Sequence, residues 1–167
     1  MKITKGLFTS DSNEWETPEY VFNELNKEFN FDIDVCATGE NAKCFNYFTK
    51  RQDGLKQNWW GFKSAFMNPP YGKEIGKWME KAYKESEKGL TAICLIPART
   101  DTGWWHNWVV KAQEVRFIKG RLKFGKGKQS APFPSCIAIF RPFYEGNNIY
   151  NVPLMNTVVF KNQNEKK

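Results

Sequence analysis

A nearly continuous apolar run over residues 90–96 is the feature that most restricts the fold of this chain. The run lacks the alternation of apolar and polar residues that marks a strand with one face in water. Such runs are typical of strands buried on both faces of a parallel sheet. Since helix-like segments precede and follow this run, the sequence predicts an α/β sheet with helices on both faces.

Three segments have the apolar spacing of helices. The first begins at Thr17 and Pro18, which are residue types suited to a helix N-cap and first turn. Gly89 is expected to close the second, which lies just before the apolar run. The apolar residues on their faces are, in chain order, Val21, Phe22, Leu25 and Phe29, then Ile75, Trp78, Met79, Ala82 and Tyr83, then Trp105, Trp108, Val109 and Ala112.

Strands are predicted between and after these helices. Besides the apolar run, they are expected over residues 29–36, 44–49, 64–67, 115–124 and 135–140. The last two are expected to pair antiparallel across a basic loop, residues 125–134. Residues 1–16 are expected to be irregular, and the polar tail over residues 143–167 has no predicted place in the sheet. The whole chain, residues 1–167, is predicted to be a single domain.

Composition limits the class of protein. A chain of 167 residues with 41% hydrophobic residues is long and apolar enough to bury a core. No apolar run approaches the roughly 18 residues of a membrane span, and no secretory signal follows the first residues, so an intracellular protein is expected. The four cysteines contain no C-x-x-C pair. We therefore expect no disulfide and no structural zinc, and the lone histidine, His106, has no evident catalytic partner.

Charge is distributed unevenly along the chain, which carries a formal net charge of +7. Nine acidic residues and one lysine lie between positions 11 and 40. By contrast, five basic residues and no acidic one lie between positions 119 and 128. A basic run of this kind is either a solvated face or a surface that contacts phosphates.

Asn68, Pro69, Pro70 and Tyr71 follow the apolar strand at 64–67 and are suited to activating a planar amino group. The Asn68 side-chain oxygen and the Pro69 carbonyl can accept the hydrogens of an exocyclic amine such as adenine N6. The two prolines restrict the backbone, so little ordering is needed when a substrate binds. The Tyr71 ring can stack on a base and favour positive charge on nitrogen. The alternative is a plain turn at the end of a strand.

Six sequence blocks together resemble the phage-type Dam family of DNA N6-adenine methyltransferases. In order they are Trp15-x-Thr17-Pro18, Asp34-Val35-Cys36-Ala37, Asp53-Gly54-Leu55, Asn68-Pro69-Pro70-Tyr71, Pro97-Ala98-Arg99-Thr100-Asp101-Thr102 and Gly120-Arg121-Leu122-Lys123-Phe124. The resemblance covers roughly residues 11–141. It implies a Rossmann-like class I methyltransferase fold of reduced size, S-adenosylmethionine as the methyl donor, and adenine in double-stranded DNA as the acceptor.

The resemblance also implies roles for individual residues. Asn68, Pro69, Pro70 and Tyr71 are the implied catalytic residues, and the implied cofactor-binding residues are Thr17, Pro18, Asp34, Cys36, Ala37 and Asp53. The chain lacks a G-x-G sequence after Asp34, and Asp53-Gly54 is also a favourable turn pair. Only 33 residues separate Asp34 from Asn68, so one helix or strand of the standard fold is expected to be missing. No metal is expected.

Contact with DNA is assigned to basic residues of two loops, namely Arg99, Arg121, Lys123, Lys126 and Lys128. The same chemistry is compatible with methylation of cytosine N4, RNA adenine or a protein glutamine. A catalytically idle DNA-binding relative is a further alternative. The resemblance implies a phage or prophage protein that acts in the cytoplasm of a bacterial host, while the recognition sequence and oligomeric state are left open.

Overall fold

The computed structural model describes residues 15–125, 130–142 and 154–161 of the chain. Its helices are α1 (Glu19–Phe29), α2 (Ile75–Ser86) and α3 (Gly103–Asn107), and a 3₁₀ turn follows at Val109–Lys111. Its strands are β1 (Ile33–Ala37), β2 (Asn46–Thr49), β3 (Ser64–Met67), β4 (Thr91–Pro97), β5 (Glu114–Ile118), β6 (Ser135–Phe140) and β7 (Leu154–Val158).

All seven strands form one sheet in the order β2-β1-β3-β4-β6-β5-β7. The strand pairs β1–β2, β1–β3, β3–β4 and β5–β7 are parallel, whereas β6 pairs antiparallel with both β4 and β5. The predicted α/β fold, with a mostly parallel sheet and a C-terminal antiparallel pair, is confirmed. Because β1 to β5 run in the same direction, the loops that follow them emerge at one edge of the sheet, where ligands of such sheets bind.

Helices cover both faces of the sheet. On one face, Phe22 of α1 packs edge-on against Phe66 of β3, with 5.2 Å between ring centroids. On the other face, Tyr83 of α2 contacts Phe140 of β6. Phe66 pairs with Ile93 of β4, whereas Phe140 pairs with the adjacent residue Ala92. Since adjacent strand residues point to opposite faces, α1 and α2 lie on opposite sides of the sheet.

The apolar run forms β4 and lies at the centre of the core, as predicted. Ile93, Leu95 and Ile96 have no solvent exposure, and both neighbouring strands, β3 and β6, consist entirely of buried residues. Each such aliphatic side chain contributes about 1.5–3 kcal/mol by its burial. The core therefore holds β3 and β4 side by side and fixes where their carboxyl ends emerge.

The segment between β1 and β3 is short, as expected from the spacing of Asp34 and Asn68. It contains one strand, β2, and no helix. β2 forms one edge of the sheet, and its partner is β1. A cleft therefore remains beside β1 that is bordered by loops rather than by a helix.

Two boundaries near the amino-terminal helix differ from the prediction. Pro18 rather than Thr17 is the N-cap of α1, and the Pro18 carbonyl accepts hydrogen bonds from the backbone N–H groups of Val21 and Phe22. The predicted strand over 29–36 begins only at Ile33, because α1 continues to Phe29 and Asn30 then adopts a left-handed conformation (φ 48°) that ends the helix.

The long strand predicted over 115–124 was wrong in its second half. β5 ends at Ile118, and Gly120 then has a positive φ of 88°, which turns the chain out of the sheet. Leu122 and Phe124 alternate with exposed basic residues as strand residues do, but they are buried beneath the following loop. The Leu122 carbonyl accepts a hydrogen bond from Ala131 across that loop.

The tail, which had no predicted place, supplies an edge strand. β7 pairs parallel with β5 from Glu114 to Ile118. The third helix is shorter than its apolar spacing suggested, since α3 ends at Asn107 and the chain continues as the 3₁₀ turn. Trp105 is buried on α3 and stacks on Phe117 of β5.

The thiols of Cys94 and Cys136 are free and buried in β4 and β6, and burial raises the pKa of both far above the usual value. They therefore remain uncharged and act as core residues. Among the helices that the structure describes, none is long and apolar enough to span a membrane.

Candidate active site

A cleft of about 1060 Å³ opens at the carboxyl edge of β1, β2 and β3. Its size is slightly above the range of about 300–1,000 Å³ that is usual for small-molecule sites. Eight of the residues predicted to bind cofactor or to act in catalysis line it, namely Thr17, Asp34, Cys36, Ala37, Asp53, Asn68, Pro69 and Pro70. The fold thus brings together residues that are far apart in sequence, such as Trp15 and Asn68, which are 53 positions apart.

Asn68 lies directly after β3, and its side-chain amide is fixed by two hydrogen bonds. Its Nδ2 donates to the backbone carbonyl of Trp15 at 2.5 Å and to the hydroxyl of Thr17 at 2.8 Å. Because a carbonyl can only accept, the nitrogen and not the oxygen of the amide must face Trp15. The amide oxygen, Oδ1, is buried, and it has no hydrogen-bond partner within the described ranges.

An unpaired buried acceptor is unfavourable, by about 1–3 kcal/mol, and native structures contain few of them. Asn68 lines a cleft large enough for a small molecule, and the cost would be removed if a donor of a bound molecule reached its Oδ1. The backbone carbonyl of the next residue, Pro69, receives no backbone hydrogen bond from the part of the chain that the structure describes. Two oxygens are therefore available at neighbouring positions for the hydrogens of one amino group.

Tyr71 is not the open stacking surface that the sequence suggested. Its ring is only 5% exposed, and its hydroxyl donates to the carbonyl of Leu95 in β4 at 3.2 Å. Trp15 lies nearly parallel to it, at 6.5 Å and 23°, while Phe124 and Phe133 contact it edge-on. Burial raises the pKa of Tyr71 well above the usual value, so the phenol stays protonated. Trp15 rather than Tyr71 lines the cleft.

Asp34 is buried in β1 at the floor of the cleft, and its carboxylate anchors the loop after that strand. One oxygen accepts from the backbone N–H of Cys36 and the other from that of Lys43, both at 3.2 Å. Burial raises the pKa of Asp34 to about 6, and the two N–H groups and the Lys43 charge oppose that rise. The Lys43 ammonium forms an ion pair with Glu19 at the start of α1. This carboxyl group is therefore partly protonated near pH 6.

Asp53 and Gly54 form the predicted turn and also border the cleft. Asp53 has a left-handed backbone conformation (φ 57°), and its carboxylate accepts from the N–H of Leu55 and pairs with Lys56 at 3.0 Å. Gly54 lies against β1 so closely that an added β-carbon would be 2.3 Å from the Val35 carbonyl oxygen. Only glycine fits there, and the turn fixes the position of Asp53 relative to β1.

The remaining predicted cofactor residues differ in their placement. Cys36 and Ala37 form the carboxyl end of β1 and line the cleft. Thr17 lines it too, with its hydroxyl bonded to Asn68. Pro18 is buried and lies outside the cleft lining, where it begins α1. The structure thus places Pro18 as a helix cap rather than at the surface of the cleft.

Three of the five basic residues predicted to contact DNA lie on the described loops. Arg99 follows β4, while Arg121 and Lys123 follow β5, and all three are exposed. These loops emerge at the carboxyl edge of the sheet, the edge that carries the cleft. Lys126 and Lys128 lie outside the described residues.

The loop that follows β5 contacts the segment of residues 15–17 beside Asn68. The backbone N–H of Gly125 donates to the Glu16 carbonyl at 2.8 Å, and Phe124 and Phe133 both contact the Trp15 ring edge-on. The segment of residues 15–17 therefore contacts Asn68 on one side and the basic loop on the other.

Sequence reasoning missed several residues of the cleft. Trp15, Lys43 and Trp78 line the cleft, and the sequence alone indicates no site role for any of them beyond the place of Trp15 in a family block. Trp78 was expected only on the buried face of α2. Trp15, which precedes Thr17-Pro18, is the sequence signal that could have located the aromatic wall of the cleft, that is, the Trp15 ring stacked on the buried Tyr71 ring.

The fold and the cleft together define a small methyltransferase of the class I type. It has an α/β sheet, a cleft at the carboxyl ends of the strands, and an Asn-Pro-Pro-Tyr segment whose first three residues line that cleft. The family model described as DNA N-6-adenine-methyltransferase (Dam) matches residues 6–167. The chain belongs to the Dam family, as its sequence blocks predicted, and the reaction of this family is methylation of adenine in DNA with S-adenosylmethionine as the general donor.

Two curated relatives come from phages and bear the same name. The DNA N-6-adenine-methyltransferase of Haemophilus phage HP1 is 29% identical over 141 residues, which cover 80% of this chain and 81% of the phage protein. The DNA N-6-adenine-methyltransferase of Escherichia phage T1 is 30% identical over 122 residues, which cover 71% of this chain but only 50% of that longer protein.

Proposed function

We propose that this protein methylates N6 of an adenine turned out of double-stranded DNA, and that Asn68 receives the target amino group. The proposal depends mainly on one observation, the buried and unpaired Oδ1 of Asn68, a residue that lines the cleft. Both hydrogens of the Asn68 amide are already donated to Trp15 and Thr17, so the Asn68 side chain can offer a substrate only an acceptor. A neutral aromatic amine has hydrogens to donate and is complementary to such a group.

The donor is assigned to the cleft. The cleft has a volume of about 1060 Å³ and is lined by both polar and apolar residues, which suits a molecule with an adenosine part and an amino-acid part. Asp34, Cys36, Ala37 and Asp53 are the residues proposed to contact it, with Asp34 supplying negative charge above pH 6. When bound, S-adenosylmethionine supplies an electrophilic methyl group on a positively charged sulfur.

Asn68 and Pro69 prepare the acceptor for attack. Their two oxygens accept the N6 hydrogens, which localises the nitrogen lone pair and directs it at the methyl carbon. As N6 bonds to the methyl carbon, the bond from that carbon to sulfur would break and the sulfur would leave with the electron pair as a neutral thioether. N6 would then be cationic, and the same oxygens would stabilise it. The surplus proton then leaves to solvent. The reaction needs no strong base, because the protonated product amine is acidic.

The aromatic wall is proposed to hold the base. Trp15 lines the cleft and rests on the buried Tyr71 ring, so the flipped adenine is placed against Trp15, with Tyr71 supporting it from beneath. Stacking on an aromatic side chain is worth about 1–3 kcal/mol per base, which offsets much of the few kcal/mol needed to flip it.

DNA is proposed to lie across the carboxyl edge of the sheet, with the exposed Arg99, Arg121 and Lys123 on its phosphates. The phage origin of the two relatives supports the proposal that the protein acts on DNA in the cytoplasm of a bacterial host.

Replacement of Asn68 by Ala tests the proposal. We expect kcat on unmethylated duplex DNA to fall by about 10²-fold or more, as when one positioned polar group of a transition-state site is removed. Donor affinity, measured by calorimetry, should change by no more than about threefold, since the cleft is otherwise intact. Asn23→Ala, at an exposed position of α1, is the matched control and should behave as wild type. Unchanged turnover in Asn68→Ala would refute the role of this residue.

A further inference from the structure

We infer that Thr17 is a positioning residue that sets the rotation of the Asn68 amide, a role distinct from contact with the methyl donor. The inference rests on the proposed function, because it concerns the group that receives the target amine. Thr17 is only 5% exposed, and its hydroxyl oxygen accepts from Asn68 Nδ2 at 2.8 Å.

The orientation of the amide determines which chemistry Asn68 can perform. With Nδ2 toward Trp15 and Thr17, Oδ1 is left as an acceptor for the target amine. If the amide were flipped, Oδ1 would oppose the Trp15 carbonyl, and an N–H donor would face the amine hydrogens. The Trp15 carbonyl selects the correct end of the amide, and the Thr17 hydroxyl holds the plane of the group by bonding its second hydrogen.

Thr17 can act in this way because the backbone around it is fixed. A residue before proline is restricted to extended conformations, and Pro18 itself has φ −62° and ψ 136°. The Pro18 carbonyl starts α1, which is anchored in the core through Val21 and Phe22. On the other side, Gly125 donates to the carbonyl of Glu16. The backbone of Thr17 is thus held from both directions, and its buried side chain lies against Asn68.

Donor contact by Thr17 is the competing role, because Thr17 also lines the cleft. The two roles affect different constants. A positioning residue changes kcat at saturating donor and leaves the donor Kd in place. A donor contact changes the donor Kd at least as much as kcat.

Thr17→Val removes the hydroxyl and keeps the shape, whereas Thr17→Ser keeps the hydroxyl. We expect Thr17→Val to lower kcat on duplex DNA about tenfold, the effect of losing one hydrogen bond, with the donor Kd within about twofold of wild type. Thr17→Ser should keep kcat within about twofold. The inference would be overturned by equal kcat in wild type and Thr17→Val, or by a donor Kd that rises by the same factor by which kcat falls.

A double-mutant cycle in the free energy of unfolding provides a readout that does not require activity. Thr17→Val should destabilise the wild type more than it destabilises Asn68→Ala, because the bond it removes is already absent there. Additive effects would contradict a direct Thr17–Asn68 interaction. Failure of the two proposals is distinguishable. Full activity in Asn68→Ala refutes the role proposed for Asn68 and with it the positioning role of Thr17, whereas an inactive Asn68→Ala with a fully active Thr17→Val refutes only the positioning role.

Discussion

We predict that Asp34 makes the affinity of the cleft for a positively charged ligand depend on pH. Its carboxyl group is 3% exposed, and burial raises its pKa from 3.8 to about 6. Between these pH values the folded chain retains a proton that the unfolded chain releases. The contribution of Asp34 to the free energy of unfolding therefore falls as the pH rises through this window, by on the order of 3 kcal/mol. Above pH 6 the cleft carries a buried negative charge that destabilises the protein without ligand.

A bound cation should recover part of this free energy. An opposite charge within about 4–6 Å lowers a carboxyl pKa by roughly 1–3 units. If the sulfonium and ammonium groups of S-adenosylmethionine lower the pKa of Asp34 to about 4.5, the protonated fraction at pH 6 falls from about one half to a few per cent. Binding at pH 6 should then release about half a proton, and binding at pH 8 almost none.

Calorimetry in two buffers with different ionisation enthalpies measures this release. At pH 6 the apparent binding enthalpy should differ between the buffers by about half the difference in their ionisation enthalpies, and at pH 8 the two values should agree. S-adenosylhomocysteine, which lacks the sulfonium charge, should release less. In Asp34→Asn the buffer dependence at pH 6 should disappear. A binding enthalpy at pH 6 that does not depend on the buffer in the wild type, or proton release by Asp34→Asn equal to that of the wild type, would show that ligand binding does not change the pKa of this carboxyl group.

Three further substitutions test other parts of the structure. Glu114→Gln should lower the free energy of unfolding by about 2–3 kcal/mol at pH 7. The hydrogen bond from Arg116 is the largest of the interactions that lower the pKa of Glu114 to about 2, and the substitution removes the charge that they stabilise. The difference should narrow as the pH falls from 4.5 toward 2, which urea titrations across this range will show. Gly54→Ala should destabilise by about 1–3 kcal/mol and weaken donor binding, because its β-carbon would lie 2.3 Å from a carbonyl oxygen of β1. Arg121→Glu should weaken binding to every duplex sequence and should make the slope of log K against log salt concentration shallower by about one or more. A loss of affinity confined to one sequence would instead assign Arg121 to base reading.

Much of the fold was predictable because local sequence marked its strands clearly. β3 (Ser64–Met67) and β6 (Ser135–Phe140) have the bounds that the sequence predicted. Each is a compact apolar segment that ends at a polar or proline residue. The β5 strand was overestimated because Leu122 and Phe124 repeat every second residue and yet are buried by a loop, and a period of two cannot distinguish these situations.

The site was predictable where its residues lie at the ends of strands. Asn68 directly follows β3 and Asp34 lies in β1. Because these two strands pair in parallel, the sheet brings both residues to one cleft. The burial of Tyr71 was not predictable, since it depends on Phe124 and Phe133 from a distant loop. The unpaired oxygen of Asn68 likewise depends on the backbone of residue 15, a tertiary contact without a local signal.

Product identification tests most directly whether Asn68 presents an adenine amine to the methyl donor. Unmethylated duplex DNA would be incubated with the protein and methyl-labelled S-adenosylmethionine, digested to nucleosides and analysed by mass spectrometry. We predict label in N6-methyldeoxyadenosine alone with the wild type and with Asn23→Ala, and loss of that product with Asn68→Ala. Label in N4-methyldeoxycytidine, or labelled N6-methyldeoxyadenosine formed equally well without the Asn68 side chain, would contradict this mechanism.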